Sequence, residues 1–205
     1  SCDINTKQVS NLGPVSGEGE RGAGGAFRAL CRAIAINPLS GNVYLTNADG
    51  DILRYTPGRD NLVKIEEDMR KDYFGKYDPA TPGHMGYNWR QINWCAADNS
   101  FYGVHGNSGY LFRFDPGKET ITVLDRITSK ASKKSGMFDQ FSYGYLGLAF
   151  GPDNQTLYYL TGSPVYVAGK RMKGKDITAK GEAKGEEDLH LITYDITTGN
   201  YIDHG

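Results

Sequence analysis

The chain has 205 residues and a formal net charge of −1, with 23 Lys and Arg against 24 Asp and Glu. This balance argues against a general nucleic-acid-binding protein, because such proteins neutralise phosphates with an excess of positive charge. The mean hydropathy is −0.52 and there is no long apolar run, so the sequence predicts no membrane-spanning helix. The 27 glycines and 14 tyrosines favour short strands joined by turns.

The two ends of the chain share a motif. Asp3-Ile4-Asn5-Thr6 aligns with Asp195-Ile196-Thr197-Thr198 at an offset of 192 positions, and the same offset aligns residues 9–13 with 201–205. A chain that begins and ends at the same point of a repeating unit is expected to contain whole repeats. Residues 1–13 are therefore predicted to be the end of a preceding unit.

Three units of one pattern follow, and we predict them at residues 31–66, 89–126 and 145–205, the last with an insertion at 164–187. Each has an apolar strand, a polar turn, a Tyr-containing strand, a third strand, another turn and a fourth strand. The predicted strands are 33–36, 43–46, 50–55 and 62–65; 91–94, 101–104, 109–114 and 121–124; and 147–150, 156–159, 189–194 and one from 201. Tyr44, Tyr102 and Tyr158 are 58 and 56 positions apart, so the units are in register.

Short strands of period two, bounded by Gly, Pro, Asn and Asp, predict that each unit is a four-stranded antiparallel meander. Repeats of this kind predict an all-β fold: a β-propeller fragment of about three four-stranded antiparallel blades plus the end of a preceding blade. A β-sandwich also has short, evenly spaced strands, but it does not require register-matched repeats. Three blades would leave both ends of the arc open. We therefore expect an excised part of a larger protein, or self-association of two copies into a ring of about six blades.

The links between second and third strands, and between blades, are expected on one face of such a disc. This set contains the long segments 17–32, 66–90, 128–145 and 164–187. Binding residues usually lie in long loops on a rigid scaffold. All of these segments except 66–90 carry more Lys and Arg than Asp and Glu, so this face is expected to attract an anionic ligand. The alternative is that the lysines are merely solvated.

The repeated pattern resembles the six- to eight-bladed propeller superfamily over nearly the whole chain. The last unit contains the turn Tyr-Asp-x-x-Thr-Gly, at residues 194–199. The resemblance extends to secreted bacterial sugar-active propellers, such as the oligogalacturonate lyases and ulvan lyases. It implies a secreted or periplasmic protein that binds an acidic polysaccharide or oligosaccharide and cleaves it by β-elimination. The expected partner is thus an acidic glycan, with no nucleic acid and no membrane.

Arg32 and Arg90 are also 58 positions apart, each just before the first strand of a unit. Two forked guanidiniums at equivalent positions would suit carboxylates or sulfates, although each could instead pair with a loop carboxylate. Three further residues complete the predicted substrate-binding set: Arg28, Asn47 and Trp89.

β-Elimination needs a cation on the uronate carboxylate, a base for the neighbouring C–H and an acid for the leaving oxygen. The candidate catalytic residues are His84, His105, Tyr87, Tyr143 and Tyr145. The rings of Trp89 and Tyr87 are expected to stack on sugar faces, and each histidine has the alternative of an ordinary hydrogen-bonded loop residue. The chain by itself is expected to be inactive, because three blades supply only about half of the wall around the central channel of a propeller.

Two other functions stay open: a non-catalytic propeller that binds protein or glycan, and a calcium-dependent propeller lactonase or hydrolase. No cofactor is predicted, except that the lactonase or hydrolase alternative would use calcium. The sequence has no His-Glu-x-x-His, Walker, dinucleotide or Gly-x-Ser-x-Gly motif. Cys2, Cys31 and Cys95 are odd in number and are predicted to be free thiols, buried or half-buried.

Overall fold

A computed structural model describes most of the chain. The described residues are 3, 5–12, 33–47, 50–59, 61–71, 89–105, 109–135, 147–162, 166–167, 170–171 and 189–205. They form three antiparallel sheets of four strands, and in each sheet the strands lie side by side in chain order. This is the meander that the repeat predicts.

The sheets are named blade 1, blade 2 and blade 3. Blade 1 contains β1 (Ala35–Ile36), β2 (Val43–Thr46), β3 (Asp51–Tyr55) and β4 (Leu62–Asp68). Blade 2 contains β5 (Trp89–Cys95), β6 (Ser100–His105), β7 (Tyr110–Asp115) and β8 (Thr120–Arg126). Blade 3 contains β9 (Gly147–Phe150), β10 (Thr156–Gly162), β13 (Leu189–Asp195) and β14 (Tyr201–Asp203). Each predicted strand overlaps one of these strands.

Two short elements lie in segments that the sequence predicts only as links or insertions. The helix α1 (Lys130–Ser135) follows blade 2, and a hairpin of β11 (Tyr166–Val167) and β12 (Lys170–Arg171) lies between β10 and β13. Within the described part of the chain, no helix has the length and apolarity needed to cross a membrane.

The blades pack face to face through two apolar clusters. One lies between blades 1 and 2, where the Tyr44 ring meets the Phe114 ring edge-on at a centroid distance of 5.0 Å. The other lies between blades 2 and 3, where Tyr102 meets Phe150 in the same way at 5.4 Å. The first strand of each blade contacts the first strand of the next, β1 with β5 and β5 with β9. Sheets that stack about an axis lined by their first strands form a partial β-propeller, as the sequence predicts.

Polar side chains also join the blades. The Tyr44 hydroxyl of blade 1 donates to the Glu119 carboxylate of blade 2 at 3.3 Å, and Arg54 forms an ion pair with the same carboxylate. Asn93 Nδ2 of blade 2 donates to the Leu148 carbonyl oxygen of blade 3 at 2.6 Å. These contacts fix the angle between neighbouring sheets more specifically than apolar packing alone.

The motif shared by the chain ends folds in the same way at both. The Asp3 N–H donates to the Gln8 carbonyl oxygen at 2.9 Å, and the Asp195 N–H donates to that of Asn200 at 3.0 Å. Each Asp carboxylate accepts the N–H groups of the residues two and three positions later. The fourth residue after each Asp has a positive φ, 59° at Lys7 and 73° at Gly199. The described residues between Asp3 and Gln8 thus form the same turn as the one that joins β13 to β14. The assignment of residues 1–13 to the end of a preceding blade stays a prediction.

Cys95 is buried and free, and its thiol donates to the Asn154 carbonyl oxygen at 3.3 Å. Burial raises the pKa of this thiol, which opposes formation of the reactive thiolate. The prediction of a buried free thiol is confirmed for Cys95. Cys2 and Cys31 lie outside the described residues.

Candidate functional site

The topology brings the ends of all the long linking segments to one edge of the sheets, which we call the loop rim. β2, β6 and β10 end there, and β3, β7 and β13 begin there, as do the links from one blade to the next. The opposite edge carries tight turns, including Asn37–Asn42 and Pro116–Glu119, closed by local backbone hydrogen bonds and ladder pairs. The loop rim is therefore where a ligand would meet the variable part of this chain.

Asn47 and His105 occupy equivalent positions at the loop rim. The Gly50 N–H donates to the Asn47 carbonyl oxygen at 3.2 Å, and the Gly109 N–H donates to that of His105 at 3.1 Å. The carbonyls of these glycines accept in turn from residues just beyond the fourth strands, Met69 and Ile127. Thr161 holds the corresponding place on β10, opposite His190.

The Asn47 side chain closes its own turn. Its Oδ1 accepts the Asp51 N–H at 2.9 Å and its Nδ2 donates to the Asp51 carboxylate at 3.1 Å. Asp51 also pairs with Lys64 at 2.7 Å and Arg70 at 3.1 Å. Burial alone would raise the pKa of the Asp51 carboxyl, but the bonds from Lys64, Asn47 and Arg70 outweigh it and hold that pKa below its usual range. Asn47 is thus part of a satisfied polar network.

His105 and Thr161 are also buried, with 1% and 0% of their surfaces exposed. Burial of three equivalent polar residues shows that the second strands carry polar side chains into the packed interior near the rim. A polymer at the rim would reach these side chains only after a rearrangement.

Trp89 lies at the rim end of β5, paired with His105, and its side chain is fully buried. The indole N–H donates to the Ala33 carbonyl oxygen at 2.8 Å, and the ring stacks on Phe112 at a centroid distance of 6.1 Å. Its faces therefore meet protein atoms between blades 1 and 2. In this arrangement neither ring face is open to a sugar.

Arg90 occupies a β-bulge at the loop rim. The pairing of β5 with β6 shifts between Trp89, which faces His105, and Gln91, which faces Val104. Arg90 is the extra residue of this shift. Bulges bend a strand and re-aim side chains, and they are common beside functional sites.

The other predicted site residues are not among those the structure describes. They are Arg28, Arg32, His84, Tyr87, Tyr143 and Tyr145. Of the predicted set, the structure thus brings His105, Trp89 and the backbone of Arg90 together at the rim end of blade 2, with Asn47 at the equivalent point of blade 1.

Sequence reasoning missed one polar cluster beside the rim. His190 Nδ1 lies 2.7 Å from Asp203 Oδ1, and Asp203 Oδ2 accepts the Lys130 N–H at 2.7 Å. Burial opposes ionisation of Asp203, yet the bonds from Lys130, His190 and Gly205 hold the pKa of its carboxyl below the usual range. The Asp203 carboxylate thus caps the start of α1. The only sequence signal was a histidine and an aspartate on adjacent predicted strands.

A cleft of about 390 Å³ lies between blades 1 and 2 and is lined by Glu66, Glu67, Lys118, Glu119 and Thr120. Two of its carboxylates are already engaged. Glu67 accepts the Ile121 N–H at 2.9 Å and pairs with Lys71, while Glu119 binds Arg54 and Tyr44. The charges of this cleft therefore serve the joint between the blades.

Among the described residues, no three His, Cys, Asp or Glu side chains are grouped so as to hold a metal ion. The possible use of calcium stays a prediction.

The comparisons with known proteins bear on the fold. No protein-family model matches the sequence, and no curated protein matches it. A structural-genomics protein of unknown function from Bacteroides thetaiotaomicron superposes with a TM-score of 0.51 and 13% identity, over 87% of this chain and 36% of that one. Hydrazine synthase from Kuenenia stuttgartiensis superposes with a TM-score of 0.47 and 13% identity, over 82% of this chain and 35% of that one. The chain thus spans little more than a third of these structures. The likeness to the Bacteroides thetaiotaomicron protein supports the fold, and the fold alone.

Proposed function

We propose that this chain forms part of a propeller that binds an acidic polysaccharide or oligosaccharide at the loop rim. One observation carries the proposal: the strand order directs every long linking segment to the same rim, and three of those four segments carry a cationic excess in the sequence. A concentration of Lys and Arg at one edge of a near-neutral protein attracts polyanions and orients them before contact. The proposed protein is secreted or periplasmic, where such polymers occur.

Arginine would supply the specific contacts. A guanidinium can donate two parallel hydrogen bonds to a carboxylate, so successive arginines around a rim would bind successive uronate units. The bulge at Arg90 supports this role, because it places an arginine at the point where a strand departs from regular pairing. Arg32 is the proposed partner one blade earlier.

β-Elimination is the finer proposal and concerns the complete protein. Arg90 would neutralise the uronate carboxylate, which acidifies the neighbouring C–H. Because the His105 side chain is buried, we assign removal of that proton to His84, with Tyr87, Tyr143 or Tyr145 as the acid for the leaving oxygen. The alternative of binding without catalysis is favoured by the burial of His105 and Trp89, two of the predicted site residues.

The test is calorimetric titration of the chain with oligogalacturonate, with a neutral oligosaccharide of the same length as control. Binding of the anionic sugar alone, weakening as salt is added, is expected. Arg90→Gln should weaken it tenfold or more, by about 1.4 kcal/mol or more. Arg59→Gln, in the exposed β3–β4 turn at the opposite edge, is the matched control and should have no effect.

Because elimination is proposed for the complete protein, that protein is mixed with oligogalacturonate and followed for unsaturated-uronate absorbance to separate the alternatives. Binding without new absorbance supports the non-catalytic module. Binding lost on addition of chelator supports the calcium-dependent alternative. Equal affinity for neutral and acidic sugars, or no affinity for either, refutes the proposal.

A further inference from the structure

His190 and Asp203 form a histidine–carboxylate pair at the rim end of blade 3, on the face toward blade 2. His190 alternates along β13 with Ile192 and Tyr194, which belong to the apolar cluster between the two blades. The alternation of a strand therefore places His190 in the same joint, at its rim end. The His190 side chain keeps 20% of its surface exposed, whereas that of Asp203 keeps 4%. The imidazole is thus the part of the pair that a ligand can reach.

The surroundings of Asp203 fix the tautomer of the histidine. Its Oδ1 accepts from His190 Nδ1 at 2.7 Å and from the Gly205 N–H at 3.1 Å, and its Oδ2 accepts the Lys130 N–H. Burial would raise the pKa of this carboxyl, but these bonds hold it below the usual range. Because the carboxylate is ionised, it takes the proton of Nδ1, and a neutral ring carries its lone pair on Nε2. The described part of the chain gives Nε2 no hydrogen-bond partner.

Protonation of the ring reverses what the pair offers to an anion. With a neutral ring, the pair carries the negative charge of Asp203 and presents a lone pair at Nε2, and both features repel a carboxylate. With a protonated ring, the charges of the pair cancel and Nε2 presents an N–H donor. Histidine is the side chain that makes this change between about pH 5 and 8.

The other charged groups beside the pair leave an excess of positive charge. Lys130 Nζ donates to the Asp203 carbonyl oxygen at 3.4 Å, so its charge lies next to the pair. Lys133 of α1 and Asp125 of β8 form an ion pair with each other, and Lys134 is exposed. An anion at this point of the rim would therefore meet lysine charges that oppose it in no protonation state of the histidine.

The remaining side chains of blade 3 on this face add no charge near neutral pH. Among the described residues they are Tyr159, Thr161, Tyr194 and Tyr201. Burial raises the pKa of both Tyr194 and Tyr201, so these phenols stay protonated. His190 is therefore the group on this face that changes charge near neutral pH.

We propose that His190 is an anion-binding residue of the loop rim, which donates from Nε2 to a carboxylate of the glycan when its ring is protonated. This proposal rests on the proposed function and adds a contact one blade after Arg90. Arginine stays charged throughout this range, and the carboxylates of a uronate stay ionised well above a pKa of about 4. The increase of affinity on acidification therefore comes from His190, and binding is coupled to uptake of a proton.

The test is calorimetric titration of the chain with oligogalacturonate at pH 6 and pH 8, at constant salt. The affinity of the parent chain should be roughly tenfold higher at the lower pH, the size expected of one charge-assisted hydrogen bond. Repeating the titration at pH 7 in two buffers of different ionisation enthalpy measures the proton uptake. The parent should take up a fraction of a proton for each ligand bound.

Two substitutions of His190 and one control separate charge from structure. His190→Gln should bind at pH 6 as weakly as the parent binds at pH 8, without proton uptake. His190→Lys stays charged, so it should bind tightly at both pH values, also without uptake. The control is His204→Gln, since His204 Nε2 contacts Thr193 Oγ1 at 2.9 Å, on the opposite face of the same blade. This variant should keep both the pH dependence and the uptake of the parent.

Equal affinity of the parent at the two pH values overturns the proposal, as does proton uptake that persists in His190→Gln. In both cases salt-dependent binding that Arg90→Gln weakens would leave the proposed function standing. Absence of binding at either pH refutes the proposed function and this proposal with it. Circular dichroism checks the folding of each variant. If His190→Gln does not fold, a His190→Lys chain that is still weaker at pH 8 than at pH 6 overturns the proposal.

Discussion

Tyr44 and Tyr102, equivalent residues of successive blades, each direct a hydroxyl to a carboxylate, but the two carboxylates come from different places. Tyr44 donates to Glu119 of the next blade at 3.3 Å, whereas Tyr102 donates to Asp98 in a turn of its own blade at 2.9 Å. A cross-strand arginine completes each group, Arg54 in the first and Arg113 in the second. Tyr44 thus links its blade to the next one, whereas the equivalent Tyr102 stabilises a turn of its own blade.

Tyr102→Phe should lower the free energy of unfolding by about 1–2 kcal/mol, since it removes a short hydrogen bond to a charged group. Tyr44→Phe should cost less, about 0.5–1 kcal/mol, because its hydrogen bonds are longer. Denaturant titration measures both. An equal loss of unfolding free energy in the two variants would contradict the inference that the Tyr102 hydrogen bond is the stronger one.

Gly103→Ala should destabilise the protein by about 1–3 kcal/mol through overpacking. A Cβ at this position would lie 2.5 Å from Phe112 Cζ and 3.0 Å from the Gln91 carbonyl oxygen, and Phe112 is fully buried. Thermal denaturation gives the loss. In the Phe112→Leu background the same substitution should cost clearly less, since the ring that it meets is gone; an undiminished cost would place the clash elsewhere.

Asp203→Asn should lower stability at neutral pH by about 1–2 kcal/mol, because Asp203 is nearly fully buried and its charged form is hydrogen-bonded. The folded state lowers the pKa of this carboxyl, so the unfolded chain binds its proton first. The contribution is therefore complete above the unfolded pKa of about 3.9 and is lost as the pH falls through the lower folded pKa.

Unfolding free energies measured from pH 6 downward test this sign. The curves of the parent and Asp203→Asn should converge as the pH falls below about 4. Asp115→Asn is the control, because an Asn there can accept the same two backbone N–H groups from its turn. A difference in unfolding free energy that grows as the pH falls would contradict the predicted direction of the pH dependence.

Trp89→Phe should lower the free energy of unfolding by about 1–3 kcal/mol, through lost packing and a lost bond to the Ala33 carbonyl oxygen. The folded variant should bind oligogalacturonate with unchanged affinity, since the parent indole is buried. Trp94→Phe, at a half-buried ring of the same strand, is the comparison and should cost less. A selective loss of sugar affinity in Trp89→Phe would return this residue to the binding surface.

The fold could be predicted because each strand carries its own signal. Alternation around Tyr44, Tyr102 and Tyr158, with Gly, Pro and Asp at the turns, is local information, and the similar spacings of 58 and 56 positions extend it to the whole repeat. The helix α1 has no such signal. Its first N–H is capped by Asp203, 73 residues away in sequence, so only the folded chain brings the two together.

The candidate site was less predictable because burial depends on neighbours. The equivalence of Asn47 and His105 follows from spacing and is present in the structure. Whether those side chains face solvent is decided by what packs over them. Trp89 illustrates the same limit: β5 begins two residues earlier than the predicted strand, which gives the ring a place in the interior instead of in a loop.

Each pairing among the strands of the three four-stranded sheets is internal to one blade, and the blades meet through side chains. Duplication of the gene segment for a whole blade would therefore leave each ladder of backbone hydrogen bonds intact. The new unit would need only the two faces that its template already has. A fold whose units are joined in this way can gain or lose blades during evolution without a new type of interface between them.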